Sequence, residues 1–248
     1  MDRIVLDLDI EIGKKVILEG PPLEALRVQG GRAGSIATLT DAQGKDFRGR
    51  VLRLSGEKAS VLIFESFPSS TESLLEMILL QALPEKERME LIIQKATELG
   101  VSAILPFKSQ KSISLEEREA KQKKAHRWQE IAVKAVQQSR RAKVPRIEKY
   151  RSFEEALEYC REEGLKILLW EKEGESLRNV LKKYFAMSPP FGKAYLMIGP
   201  EGGFTREEVR LAEDKGYIPV KLGQRILRTE TAAITLVGIL QYELGDLS

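Results

Sequence analysis

The sequence predicts an α/β protein in which a largely parallel sheet, covered by helices on both faces, follows a small β-rich domain. Two patterns carry that expectation. Up to residue 66, short apolar segments are separated by turn signals, which is the spacing of a small β-barrel. From about residue 72 onward, apolar strand-like runs alternate with amphipathic helical spacing, as in parallel strands joined by helical crossovers. Phe67-Pro68-Ser69-Ser70 reads as a linker between them, so the expected domains are 1–69 and 70–248.

In chain order, the first strands are expected at Ile4–Leu8 and Lys15–Leu18, followed by a break at Gly20-Pro21-Pro22 and a helical turn at Leu23–Val28. Ser35–Thr40, Asp46–Leu54 and Ala59–Phe64 complete the β-rich part. Ser73–Leu83 is a continuous apolar run suited to a buried strand. Pro84 suits the first turn of the next helix, where a missing N–H costs nothing. There Met89, Ile92, Ile93, Ala96 and Leu99 share one face, and Gly100 is a stop signal. A strand at Ser102–Pro106 precedes a long helix with Ala125, Trp128, Ala132, Ala135, Val136 and Ser139 on one side. Arg127, Glu130, Lys134, Gln137 and Arg141 are expected on the other side, and Trp128 in the core. Further strands fit Lys166–Trp170, Lys193–Ile198 and Tyr217–Leu222, with helices near 152–162, 205–215 and 229–243.

Composition narrows the possible functions. Hydrophobic residues at 42% permit a core without staples. The single cysteine, Cys160, excludes a disulfide framework or a cysteine-rich metal site within the chain, and no metal is expected. No apolar run reaches the length of about 20 residues that spans a bilayer. Met1–Ile10 is acidic and lacks the features of a secretion signal, so a cytoplasmic location is expected. The net charge of +3 is unevenly spread. Residues 1–69 balance to zero, whereas residues 118–149 hold eleven Lys/Arg against Glu119, Glu130 and Glu148, a local net of +8. Charge concentrated in one stretch suits a polyanion-binding surface.

Two segments carry the chemistry. Gly199-Pro200-Glu201-Gly202-Gly203 lies between an apolar strand and a helix opened by Thr205 and Glu208, a capping-box pair. Glycines after a strand let backbone approach a ligand, and open α/β sheets bind ligands at the carboxyl ends of their strands. A tight turn without a ligand fits this segment equally well. It is neither a P-loop nor a dinucleotide fingerprint. The second segment, Leu222–Ala232, crowds Arg225, Arg228 and Glu230 into an otherwise apolar loop. The helix after it is apolar nearly all round, so it should be buried against other elements or a second subunit.

Together these motifs, IGPEGGF-x-x-x-E and LGxRILRTETA, resemble the bacterial 16S ribosomal RNA uracil-N3 methyltransferases (the RsmE family) of the SPOUT superfamily. The resemblance extends to Gln94–Val101, Arg127–Ala132, Gln138–Arg141 and Val144-Pro145, across nearly all of residues 73–244. Members carry histidine around Pro22–Ala25, where this chain reads Pro-Leu-Glu-Ala.

The resemblance implies a SPOUT-type parallel sheet with a C-terminal trefoil knot, a preceding PUA-like β-barrel that helps bind RNA, and a homodimer. It implies S-adenosyl-L-methionine as methyl donor and 16S ribosomal RNA, in the small subunit, as partner. The expected donor contacts are Leu169, Trp170, Ile198, Gly199, Pro200, Gly203, Leu222, Gly223, Ile226, Leu227 and Thr231. Arg228, with Arg225 second, is expected to hold the uracil oxygens. Glu201 or Glu230 would accept the N3 proton or face the sulfonium. Arg127, Lys134, Gln138, Arg140, Arg141 and Lys143 are the expected RNA contacts. Two rival readings are a knotted methyltransferase for another RNA base and a non-catalytic RNA-binding ribosome-assembly factor.

Overall fold

The computed structural model describes residues 4–67, 72–113, 128–187 and 192–247. They form two compact units, residues 1–72 with 140–143, and residues 73–139 with 144–248.

The first unit is a five-stranded sheet built from β1 (Ile4–Val5), β2 (Lys15–Leu18), β3 (Ile36–Thr40), β4 (Asp46–Leu54) and β5 (Ala59–Ser66). The order is β1-β3-β4-β5-β2, with β1 parallel to β3 and the other pairs antiparallel. Among the described residues no ladder joins β2 to β1. Gly20-Pro21-Pro22, expected as a break, instead opens helix α1 (Gly20–Val28), because prolines at the first helical positions give up only N–H groups that have no intrahelical partner. Register shifts at Arg48/Gly49 and Val51/Arg53 bend β4. Gly49 permits that bend, since a Cβ there would stand 2.3 Å from Val61 Cγ1. Leu18, Leu26, Leu39, Val51 and Val61 form the core beneath.

Residues 140–143 belong to this unit through specific bonds. Thr38 donates its hydroxyl to the Ala142 carbonyl at 2.7 Å, and the Arg48 guanidinium donates to the Arg141 carbonyl. Arg141 pairs with Glu72 at 2.6 Å, and both side chains are more than nine-tenths buried.

The second unit holds seven strands. They are β6 (Glu76–Ala82), β7 (Ala103–Phe107), β8 (Arg146–Ile147), β9 (Leu165–Leu169), β10 (Glu175–Ser176), β11 (Lys193–Ile198) and β12 (Ile218–Lys221). Their order is β10-β12-β9-β11-β6-β7-β8, and every pair is parallel. Alternate residues of each strand serve opposite cores. On one face Met77, Leu79, Ile167, Leu196 and Val220 pack with α2 (Lys86–Glu98), α3 (Trp128–Ser139), α5 (Leu177–Met187) and α7 (Thr229–Leu244). On the other, Ile78, Leu80, Leu168, Tyr195 and Met197 pack with α4 (Phe153–Tyr159) and α6 (Arg206–Asp214). The sheet is therefore doubly covered, as the periodicity predicts.

Two corrections matter for function. The long basic helix is described only from Trp128, and it ends at Ser139 rather than continuing through Arg141. Arg140 turns the chain with a left-handed φ of 57°, which costs a non-glycine residue about 1 kcal/mol. The expected helix positions Ala125 and Arg127 lie outside the described residues. The second correction is additive: β8, β10 and α5 join the expected elements.

Candidate active site

Three neighbouring strands build the site. β12, β9 and β11 lie side by side and run the same way, so the loops that follow Lys221, Leu169 and Ile198 emerge at one end of the sheet. These are the loops the sequence singles out, and this is the end at which open α/β sheets take ligands.

The glycine loop is fixed from several sides. Ile198, Gly199 and Pro200 are buried, and the Gly203 N–H donates back to the Pro200 carbonyl at 2.9 Å. Phe204 is fully buried and stacked on Phe107, with ring centroids 6.4 Å apart. Thr205 and Glu208 form the capping box that opens α6. The buried Glu208 carboxylate also accepts the Gln110 N–H at 2.9 Å. Lys111 Nζ donates to the Gly202 carbonyl at 2.9 Å. Glu201 accepts the Glu85 N–H at 3.0 Å and pairs with Arg88 at 2.9 Å. Its carboxylate thus ties the loop to the start of α2.

A buried amide links this loop to the next. Gln81, at the carboxyl end of β6 and with no exposed surface, donates to the Ala82 carbonyl at 2.9 Å and to Thr229 Oγ1 at 3.1 Å. The Gly199 carbonyl lies 3.4 Å from the same nitrogen. Thr229, the first residue of α7, donates its hydroxyl to the Gly199 carbonyl at 2.7 Å. The glycine loop and the arginine loop are thereby held against each other.

Within the arginine loop, Gly223, Gln224, Arg225, Ile226 and Arg228 are exposed, whereas Leu222 and Leu227 are half-buried. Ile226 exposes 83% of its surface. Arg228 occupies the N-cap of α7. Neither Arg225 nor Arg228 has an ion-pair partner among the described residues. Glu230 lies in the first turn of α7, where the helix dipole favours an anion. Its Oε2 is buried without a hydrogen-bond partner among the described residues, and the same holds for Trp170 Nε1 and Gln81 Oε1. Leu169 is half-buried, Trp170 buried and Thr231 exposed.

The structure thus brings the expected donor contacts and all four charged candidates to one end of the sheet. The expected RNA contacts fare differently. Lys134 and Gln138 are exposed one turn apart on α3, and Arg140 is exposed. Arg127 lies outside the described residues. Arg141 is buried against Glu72, and the Lys143 N–H donates to the same carboxylate. Gln81, Thr229, Arg88, Lys111 and Glu171 join the site without having been expected. Of these, Gln81 carried a signal, because a polar residue closing an apolar strand run needs a partner. No cluster of His, Cys, Asp or Glu among the described residues could hold a metal ion.

Fold and loops together define a class of protein: residues 71–241 match the family model of an RNA methyltransferase domain. Ribosomal RNA small subunit methyltransferase E from Bacillus subtilis is 33% identical over 192 residues, 77% of this chain and 75% of the relative. The enzyme of that name from Buchnera aphidicola (Schizaphis graminum) is 31% identical over 82% of this chain and 79% of its own. A crystal structure of the Neisseria gonorrhoeae counterpart, bound to S-adenosyl methionine, superposes with a TM-score of 0.69 at 32% identity over the whole of both chains. A Legionella pneumophila methyltransferase structure with the same cofactor gives 0.68 and 32% over 99% of this chain and 98% of its own. The chain belongs to the ribosomal RNA small subunit methyltransferase E family.

Proposed function

We propose that this protein transfers the methyl group of S-adenosyl-L-methionine to N3 of a uridine in 16S ribosomal RNA of the small subunit. The observation that carries the reading is the meeting of the loops after β12, β9 and β11, locked by Gln81 and Thr229 around the Gly199 carbonyl. Glycines in that loop leave backbone open to a ligand. Half-buried Leu169, Leu222 and Leu227 offer an apolar surface for an adenine face, and Trp170 Nε1 and Glu230 Oε2 are buried polar atoms in need of partners. The residues present fit the donor.

When bound, the donor supplies a methyl group made electrophilic by its sulfonium. The protein then has to position and to balance charge. Uracil N3 must lose its proton as the new N–CH3 bond forms, and negative charge spreads onto the flanking oxygens. Arg228, exposed and without an ion-pair partner among the described residues, is the candidate to hold those oxygens, with Arg225 second in the same loop. Glu230 is the candidate to take the proton or to face the sulfonium. Glu201 is the weaker candidate because Arg88 and the Glu85 N–H already occupy its carboxylate. Positioning supplies most of the rest of the acceleration.

The reading includes a trefoil knot in the C-terminal segment, a PUA-like RNA-binding barrel at 1–69, cytoplasmic location and a homodimer. No helix among the described residues is long and apolar enough to cross a membrane. What supports the dimer on α7 is Tyr242, which exposes 60% of its surface on a helix whose Ile239 and Leu244 are only half-buried. Lys134, Gln138 and Arg140 are the phosphate contacts this structure supports best. Nucleoside mass spectrometry of 16S ribosomal RNA from a strain lacking the gene is the test. The expected outcome is loss of 3-methyluridine and its return with the wild-type gene; persistence of the nucleoside would remove the assignment.

A further inference from the structure

The five residues from Glu171 to the start of β10 contain three glutamates, and they are treated unequally. Glu173 pairs with Arg206 at 3.3 Å and Glu175 with Lys183 at 2.7 Å. Glu171 has no hydrogen-bond or ion-pair partner among the described residues and is half-buried. Its carboxylate lies on the glycine loop instead. Both oxygens stand 2.9 Å from the point a Cβ on Gly203 would occupy. Gly203 has a left-handed φ of 64°, and its Cα in turn lies 3.3 Å from where a Cβ on Gly199 would stand. Glu171, Gly203 and Gly199 therefore stand in line at close contact, and the backbone N–H of Trp170, the residue before Glu171, donates to the Val220 carbonyl at 3.0 Å.

A carboxylate with no hydrogen-bond or ion-pair partner among the described residues keeps its acceptor lone pairs available to a ligand's hydroxyls. The two oxygens of a carboxylate match two hydroxyls on adjacent carbons, and a carboxylate beside a glycine turn is a recurrent reader of ribose. We propose that Glu171 is a donor-binding residue that accepts hydrogen bonds from the 2′ and 3′ hydroxyls of the methyl donor's ribose. This rests on the reading of the three-loop pocket as the donor site.

The test is calorimetric titration of the full chain and its Glu171→Ala and Glu171→Gln variants. The probes are S-adenosylhomocysteine, 5′-methylthioadenosine and the 2′-deoxy and 3′-deoxy forms of the latter. Glu171→Ala should weaken S-adenosylhomocysteine and 5′-methylthioadenosine alike, by about tenfold or more, the usual value of a charge-assisted hydrogen bond. Glu171→Gln, which preserves shape and fold, should fall between. Wild type should prefer 5′-methylthioadenosine over both deoxy forms, and the variants should lose that preference. A loss confined to S-adenosylhomocysteine would assign Glu171 to the donor's amino-acid end and overturn the proposal, as would an unchanged preference in both variants. If wild type bound neither S-adenosylhomocysteine nor 5′-methylthioadenosine, the donor-site reading itself would fail.

Discussion

Glu201 lies in the glycine loop and Glu230 in the first turn of α7, and their neighbours give them different work. Glu201 is occupied by Arg88 and the Glu85 N–H, so it anchors the glycine loop. Glu230 keeps one buried oxygen without a hydrogen-bond partner among the described residues. Replacing Glu230 with Gln should cut turnover, leaving donor affinity nearly intact where the carboxylate takes the proton and weakening it where the carboxylate faces the sulfonium, whereas Glu201→Gln should lower the denaturation midpoint first. Arg228→Ala should retain donor binding while kcat falls about a hundredfold, the usual effect of losing one donor to a developing oxyanion. Calorimetry beside single-turnover rates checks this, and an equal loss in both would make the arginine a shaper of the loop. Cys160 gives a separate prediction. Burial pushes its thiol up to about 11 from 9.0. Because the folded state holds that proton more tightly, its contribution to stability is complete below pH 9 and is lost as pH rises through about 11. Cys160→Ala should flatten that part of the alkaline slope in urea midpoints. An unchanged slope would assign it to the buried Tyr217, whose pKa burial also raises.

At the scale of elements, the network of Gln81, Thr229 and the Gly199 carbonyl joins β6, β11 and the start of α7. Thr229→Val leaves buried groups without partners, at a cost of about 1–3 kcal/mol. Gln81→Ala should cost a similar amount, and the double variant less than the sum, because both remove the same shared bond. Chemical denaturation of the three variants measures it, and strict additivity would mean the two side chains act independently. Donor affinity should fall in each, since the two loops would no longer hold one separation. The turn at Arg140 and Arg141 offers an opposite pairing. Arg141→Ala breaks a buried ion pair and should destabilise the chain by about 3–5 kcal/mol. Arg140→Ala should leave stability nearly unchanged and make the salt dependence of RNA binding shallower, since each phosphate contact adds to that slope. A Tm that moves with Arg140 and not with Arg141 would reverse the two roles.

For the whole molecule, division into two units has a consequence for truncation. Residues 140–143 lie inside the second half of the sequence yet belong to the first unit. A chain starting at Ser73 would lose Glu72 and with it the ion pair to the buried Arg141 guanidinium. Arg141→Ala should therefore destabilise the full chain more than the truncated chain, which differential calorimetry of the four proteins measures. The strand–helix alternation, the double cover of the sheet and the two site loops were legible because each rests on periodicity or local turn chemistry. β8 and β10, at two residues each, are too short to show a period. The C-terminal limit of α3 was misread because Arg140 takes a conformation usually reserved for glycine.

By itself, the sequence determined the α/β class, the order of its main elements, the glycine and arginine loops and the family they mark. All of these are local patterns, written in residue types at short spacing. Only the tertiary structure decided which charges are free to act. Strand order sets the loops after β12, β9 and β11 together. Partners distant in sequence occupy Glu201 and Arg141, while Arg228, Glu230 and Glu171 keep groups that find no partner among the described residues, near the glycine loop or at the start of α7. Pairing across tens of residues leaves no trace in local spacing, because it depends on where the sheet brings the chain back to itself.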